Sequence, residues 1–280
     1  MKKHRGWKRF LLSFLITVLL VGGWAAGYQI YAYHTRPWYR QHSLIAHAMG
    51  GIDGLDYTNS REAFERNYQK GYRVFEVDLR QTSDGVLVGR HDWRKNGRNS
   101  YGGKKIPTAG EYLSSRIDGK YTPVSFEDVL LLAKEYPDVY FMTDTKQGNL
   151  QKAEETMKLM ADTAERLGLT RVLRERFIIQ IYNEEMYTAV KQWIDPENIL
   201  YTVYQLEPEE YAEAAAFCVK RGIPVISIRF KRWNETLQRT LQEAGLVTAV
   251  HTINDPAQAK EYFENQVRCL YSDTLDPGDF

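Results

Sequence analysis

The chain has 280 residues, 43% hydrophobic and 26% charged, with 20 Gly and 9 Pro. That composition excludes collagen-like, low-complexity and wholly disordered proteins and leaves room for one large domain or two small ones. The formal net charge of +1 conceals an asymmetry: seven of the 37 Lys and Arg residues lie within positions 1–40 and no acid precedes Asp53, so residues 41–280 carry 30 cations against 36 acids, a poor nucleic-acid surface.

Taken in chain order, residues 1–9 form a short basic tail containing Lys2, Lys3, Arg5, Lys8 and Arg9. The next 26 residues, 10–35, hold no Asp, Glu, Lys or Arg, and as a helix they would be long enough to cross a bilayer core. Segment 10–33 therefore reads as a transmembrane signal-anchor helix. The cations on its near side predict a cytoplasmic N-terminus and an extracytoplasmic body, with Tyr28, Tyr31, Tyr33, Trp38 and Tyr39 at the outer interface. The competing reading is a cleaved secretory signal ending near Ala25-Ala26-Gly27. Either reading exports residues 41–280.

From residue 41 onward, short β-branched runs alternate with helical patterns. Strands are expected at 43–46, 74–79, 86–89, 139–143, 177–181, 199–203, 225–228 and 247–252, and helices at 60–70, 125–136, 150–167, 184–193, 207–221 and 234–244. Ser125-x-x-Asp128 is an acidic helix start, and Gly71, Gly168, Gly222 and Gly245 each follow a helical run where a C-cap glycine belongs. Eight strands in this length predict an α/β fold, a (β/α)₈ TIM barrel preceded by one transmembrane helix, with an open doubly wound sheet as the alternative. Two cysteines, Cys218 and Cys269, have no C-x-x-C spacing and read as buried apolar side chains.

Side chains at the carboxyl ends of barrel strands converge on one mouth. His47 follows the first expected strand, Glu76 and Asp78 lie on the second, His91 follows the third, and Asp144 and Lys146 close the fourth. Because the strand period is two, Glu76-x-Asp78 and Asp144-x-Lys146 each place two charged groups on one face. Three carboxylates meeting in the mouth would repel one another unless protonated or neutralised, and an oxygen-only set suits a hard ion such as Mg²⁺ or Ca²⁺ better than zinc.

The runs Leu44-Ile45-Ala46-His47, Thr58-Asn59-Ser60-Arg61-Glu62-Ala63-Phe64, Phe75-Glu76-Val77-Asp78, Thr82-Ser83-Asp84-Gly85 and Val88-Gly89-Arg90-His91-Asp92 resemble the glycerophosphodiester phosphodiesterase family of (β/α)₈ barrels. Weaker matches continue at Asp144-Thr145-Lys146, His251-Thr252-Ile253-Asn254 and Tyr271-Ser272-Asp273. The resemblance implies that His47 and His91 are the general acid and base. It also implies that Glu76, Asp78 and Asp144 bind one divalent cation, Mg²⁺ or Ca²⁺, and that Lys146 lies near the phosphate. Asp144-x-Lys146 with Gly148 also resembles the sphingomyelinase D branch, whose product is a cyclic phosphate.

Two departures stand out. Ala48 occupies the place of the family's phosphate-holding arginine, and Thr58-Asn59-Ser60 that of its Glu-Asn-Thr. Arg80, Arg90, Arg229 and Lys146 are the candidates to replace the missing cation, Asn59 is retained, and Trp93, Tyr182, Tyr204 and Trp233 are aromatic groups near expected strand ends. Asn59, Arg90, Trp93 and Lys146 are thus expected to contact substrate, and His251 to line the pocket. The expected function is a membrane-anchored, metal-dependent hydrolase of a glycerophosphodiester, lipid headgroup or glycerol-phosphate polymer. Its competitor is a binding barrel without turnover. No nucleic-acid or protein partner is expected.

Overall fold

The computed structural model describes residues 36–93, 105–146 and 149–280. The expected tail and anchor, 1–9 and 10–33, lie outside the described residues. Among the described residues no helix is long and apolar enough to cross a membrane. The chain divides at residue 41, and before that point the described element is a single helical turn, Trp38–Gln41.

Residues 42–280 form the barrel. Its strands are β1 (Leu44–Ala46), β2 (Val74–Gln81), β4 (Tyr140–Asp144), β5 (Phe177–Ile181), β6 (Asn198–Thr202), β7 (Val225–Arg229), β8 (Val247–His251) and β9 (Cys269–Ser272), each parallel to its neighbours. The sheet closes through β1, which pairs with β2 at Ala46↔Phe75 and with β9 at Leu44↔Leu270. Helices α1 (Arg61–Gln69), α2 (Ala109–Ser114), α3 (Phe126–Glu135), α4 (Leu150–Arg166), α5 (Thr170–Arg176), α6 (Glu184–Trp193), α7 (Tyr211–Arg221), α8 (Glu235–Glu243) and α9 (Pro256–Glu264) connect them.

The expected strand at 86–89 is β3 (Leu87–Gly89), and it is not a barrel strand. It runs antiparallel to β2, with Leu79↔Gly89 and Gln81↔Leu87 in register. The reason is the five-residue link 82–86, since a parallel return needs a crossover of a dozen or more residues. The eighth barrel strand is β9 instead. Its sequence, Cys-Leu-Tyr-Ser, has no Val or Ile and gives a weak strand pattern.

Local chemistry sets the helix starts. Ser60, Asn149, Asn183, Asn234 and Asp255 each accept a hydrogen bond from the backbone N–H three residues on. Ser125 and Asp128, and likewise Thr108 and Glu111, complete reciprocal capping boxes. Between helices and sheet lies a layer of buried aromatic rings. Phe64 packs on Phe75 with centroids 4.7 Å apart, and Phe141 on Phe177 at 5.9 Å. This layer holds β2, β4 and β5, and therefore their carboxyl ends, in fixed register.

Candidate active site

Three carboxylates meet at the mouth. Asp78 and Asp144 are register partners on β2 and β4, and Glu76 lies two residues before Asp78 on the same face. Glu76, Asp78 and Asp144 offer ligand oxygens that all lie within 4.8 Å of one another. Glu76 is 2% exposed and Asp78 1%. Burial and repulsion from Asp78 push the Glu76 carboxyl well above the ordinary range. Burial acts the same way on Asp78, but Lys146, His91 and His47 outweigh it and hold that carboxyl low.

The Lys146 ammonium donates to Asp78 Oδ1 and, at 2.6 Å, to Asp144 Oδ2. Burial opposes its charge, yet the facing carboxylates raise its pKa and keep it an ammonium. Three acids, two of them buried, share one lysine, and the donors are all oxygen. That set fits a hard divalent ion held by Glu76, Asp78 and Asp144.

The surrounding groups aim these carboxylates. Asn59 donates through Nδ2 to Asp78 Oδ2 and accepts through Oδ1 from the Asp78 N–H, both at 2.9 Å, so it clasps side chain and backbone of one residue. The backbone N–H of Ala48 donates to Glu76 Oε2 at 2.6 Å, and the Tyr182 hydroxyl donates to Asp144 Oδ1. Ala48 can do this because the turn after β1 is left-handed, with φ 48° at Ala48, 68° at Met49 and 86° at Gly50. Asn67 of α1 secures that turn, donating to the carbonyls of Met49 and Gly51 at 3.2 Å. Gly50 is required on two counts, since a Cβ there would also lie 2.4 Å from Asn67 Nδ2.

His47 and His91 flank one ring. Tyr57 stands between them, edge-on to His47 at 4.6 Å and to His91 at 4.7 Å between centroids. His47 Nδ1 lies 2.9 Å from Asp273 Oδ1, while Asn254 donates to the other Asp273 oxygen at 2.8 Å. Burial alone would pull the His47 pKa down, but the Asp273 hydrogen bond and the charges of Glu76, Asp273 and Asp78 overcome it and raise it to about 9. For His91 burial dominates and, among the described residues, no carboxylate bonds its ring, so its pKa falls despite the charge of Asp78. The two imidazoles therefore differ in environment: Asp273 favours the protonated form of His47, and burial disfavours that of His91.

The cavity above them is about 390 Å³ and is lined by His47, Tyr57, Glu76, His91, Asp144 and Lys146 on one side. Thr202, Tyr204, Arg229, Lys231 and His251 line the other. Arg90 and Trp93 are not among its lining residues. Buried Arg90 donates through Nε to the Asp92 carbonyl at 2.7 Å, and Trp93 donates to the Gln81 carbonyl at 3.0 Å and packs edge-on against Tyr112. Both follow the antiparallel arm β3, and each donates to a backbone carbonyl of the same β2–β3 segment. Trp233 packs on Tyr262 and donates to Gln238, and Arg80 donates to the His91 carbonyl. Of the candidate replacements for the cation absent at Ala48, Lys146 and Arg229 line the cavity. Thr58 is buried against Ser60, 3.0 Å between hydroxyls.

Tyr57, Tyr182 as a hydrogen-bond donor, Asn254 and Asp273 are the site groups that sequence reasoning left without a role. Asp273 carried a usable signal. It directly follows β9, and with 269–272 recognised as a strand it would have stood as one more strand-end acid.

A family model described as "Glycerophosphoryl diester phosphodiesterase family" matches residues 51–277. This chain belongs to that family. As a family member it is a phosphoric diester hydrolase of the glycerophosphodiester phosphodiesterase type. Solved structures agree on the barrel. A glycerophosphodiester phosphodiesterase from Parabacteroides distasonis is 19% identical with a TM-score of 0.65, covering 85% of this chain and 94% of its own. The Thermotoga maritima glycerophosphodiester phosphodiesterase is 18% identical at a TM-score of 0.60, covering 83% and 94%. An Oleispira antarctica phosphodiesterase, in complex with the product sn-glycerol-3-phosphate, is 15% identical at 0.64, covering 85% and 94%.

Proposed function

We propose that this family member cleaves a glycerophosphodiester-type substrate outside the cytoplasm, tethered to the membrane by residues 10–33, with His47 as general acid and His91 as general base. The observation that carries the reading is that two imidazoles, His47 bonded to a carboxylate and His91 not, line one cavity with the carboxylate trio. Glu76, Asp78 and Asp144 would hold a hard divalent cation, which would supply charge neutralisation at the phosphoryl group. Lys146, fixed between Asp78 and Asp144, adds a second positive charge beside the phosphoryl group.

His91, whose burial disfavours its protonated form, takes the proton from the attacking hydroxyl as the new oxygen–phosphorus bond forms. His47 holds its Nδ1 proton on Asp273 and gives its other ring proton to the leaving oxygen as the old bond breaks. Asp273 keeps the imidazole oriented, and Asn254 keeps Asp273 oriented. Attack by the substrate's neighbouring hydroxyl gives a cyclic phosphate, as in the sphingomyelinase D branch that Asp144-x-Lys146 resembles. Attack by water on that ring gives the open monoester, the class of product bound by the Oleispira antarctica phosphodiesterase.

The test incubates the full-length chain in detergent with glycerophosphodiesters, with Mg²⁺, Ca²⁺ or chelator, and follows products by phosphorus NMR. Ion-dependent turnover is expected. An open product means both steps proceed, and a cyclic product means the first step alone. No turnover with either ion overturns the proposal in favour of a binding barrel. Cell-surface protease accessibility of residues 41–280, with the chain retained in membranes, is the expected outcome for the anchor; release into the medium overturns it.

A further inference from the structure

The cavity has two chemically different walls. On the β1, β2 and β4 side every charged group is committed: Lys146 to two aspartates, His47 to Asp273, Asp78 to Asn59. On the other side, Arg229 and Lys231 line the same cavity, and among the described residues neither has an acid within ion-pair distance. Their neighbour Arg232 shows what a structural cation does here, since it donates to the Leu206 carbonyl and faces Glu207. Phosphate charge is the natural complement of uncommitted cations at a cavity wall.

We propose that Arg229, Lys231 and His251 form a second anion subsite that takes a phosphate one glycerol unit away from the diester being cleaved, so that the substrate class is a glycerol-phosphate chain. This rests on the phosphodiesterase reading above and adds the substrate to it. Arg229 ends β7 in register with His251, which ends β8, so the two side chains leave adjacent strands at one level. The Arg229 guanidinium lies over the Tyr204 ring, 5.2 Å from its centroid, which steadies the plane of the fork and leaves its N–H donors for an anion.

His251 supplies the independent sign of a ligand. Among the described residues its buried Nε2 has no hydrogen-bond partner, although the ring lines the cavity and is otherwise wedged edge-on against Tyr204 and Tyr271. A buried polar nitrogen left unmet is costly, and a substrate group reaching it removes that cost. Burial, then the positive charges of His47, Arg229 and Lys146, lowers its pKa to about 3. The neutral ring suits the hydroxyl of a linking glycerol, while the two cations suit the phosphate beyond it. A glycerol-phosphate chain comes either as a free envelope polymer or as a phosphorylated lipid headgroup, and both present this chemistry.

The test compares kcat/KM of full-length protein on three substrates. They are glycerophosphoglycerol, with a single phosphate, a soluble glycerol-phosphate trimer, and a lysophosphatidylglycerol phosphate in mixed micelles. The expected result is a preference of about tenfold or more for a substrate with the second phosphate, from one or two charge-assisted hydrogen bonds, and its erosion by salt. The Arg229→Gln/Lys231→Gln double variant lowers the ratio of polyanionic to single-phosphate kcat/KM by about tenfold or more, and His251→Phe lowers it less. Unfolding midpoints of each variant verify that it folds. The trimer against the micellar lipid identifies the source. A wild-type ratio near one, or a ratio unmoved in the folded double variant, overturns the subsite and leaves the phosphodiesterase reading intact. Absence of turnover on all three overturns both.

Discussion

The two walls of the barrel mouth are built on opposite plans. The wall at β1, β2 and β4 is a closed network in which Asn59, Ala48, Asp273, Asn254 and Tyr182 each hold a charged group in one orientation. The wall at β6, β7 and β8 presents aromatic rings and, among the described residues, two cations without an acid partner and an imidazole nitrogen without a hydrogen-bond partner. Groups that perform chemistry must be aimed before substrate arrives, since misorientation costs rate directly. Groups that recognise substrate remain available until it does. The asymmetry of polar satisfaction thus divides the mouth into a reacting side and a recognising side.

The largest expected effect falls on the closed network. Glu76→Gln removes one of three carboxylates and should reduce turnover on the order of 10³-fold or more, with loss of the stimulation by divalent ion, measured by product release with and without chelator. An unchanged ion response would remove Glu76 from the metal set. His91→Asn should lower kcat by about 10²- to 10⁴-fold with substrate KM little altered. A pure KM effect would move His91 to the recognising side.

Asp273→Asn is the sharper probe because it removes a charge and nearly keeps the shape. It should lower kcat by about tenfold or more and draw the alkaline limb of the kcat profile to lower pH, since His47 loses the hydrogen bond and charge of Asp273 that offset its burial. An unshifted limb would exclude His47 as the acid. The same pairing carries a stability signature in ion-free protein. The His47 pKa is raised on folding, so its contribution is fully present below about 6.5 and is lost as pH rises through about 9. Urea unfolding across that window should show wild type losing stability that Asp273→Asn never had.

The smallest effect is expected where the two walls meet. Gln180 lines the cavity from β5 and accepts from the Tyr271 hydroxyl at 3.0 Å. Gln180→Leu should cost about 1–3 kcal/mol in urea unfolding by leaving that buried hydroxyl poorly met. Loss of catalysis out of proportion to this cost would show that the floor of the barrel couples the walls.

Much of the reacting side was legible in sequence. His47, Glu76, Asp78, Asp144 and Lys146 stand at strand ends with a period-two spacing, and in the structure they share one mouth. His91 joins them by a route the sequence pattern misassigned, because an apolar Leu-Val-Gly run looks the same in a barrel strand and in a hairpin arm, and only the length of its link tells them apart. Arg90 and Trp93 sit beside His91 in sequence but follow the hairpin away from the cavity. Missing β9 concealed Asp273, and with it the group that makes the two histidines unequal.

By itself the sequence determined the alternation of strands and helices, the caps that start the helices, and the clustering of acids and histidines at one end of the barrel. These are local or periodic properties, written within a few residues of where they act. Tertiary structure alone decided that Asp273 meets His47 across 226 positions, that Lys146 bonds both Asp78 and Asp144, and that Arg229, Lys231 and His251 face the same space as the carboxylates. The first relation comes from closing the sheet through β1 and β9, and the others from the pairing of neighbouring strands around the barrel. No spacing along the chain encodes a closure of that kind, because it is set by packing and register over the whole barrel.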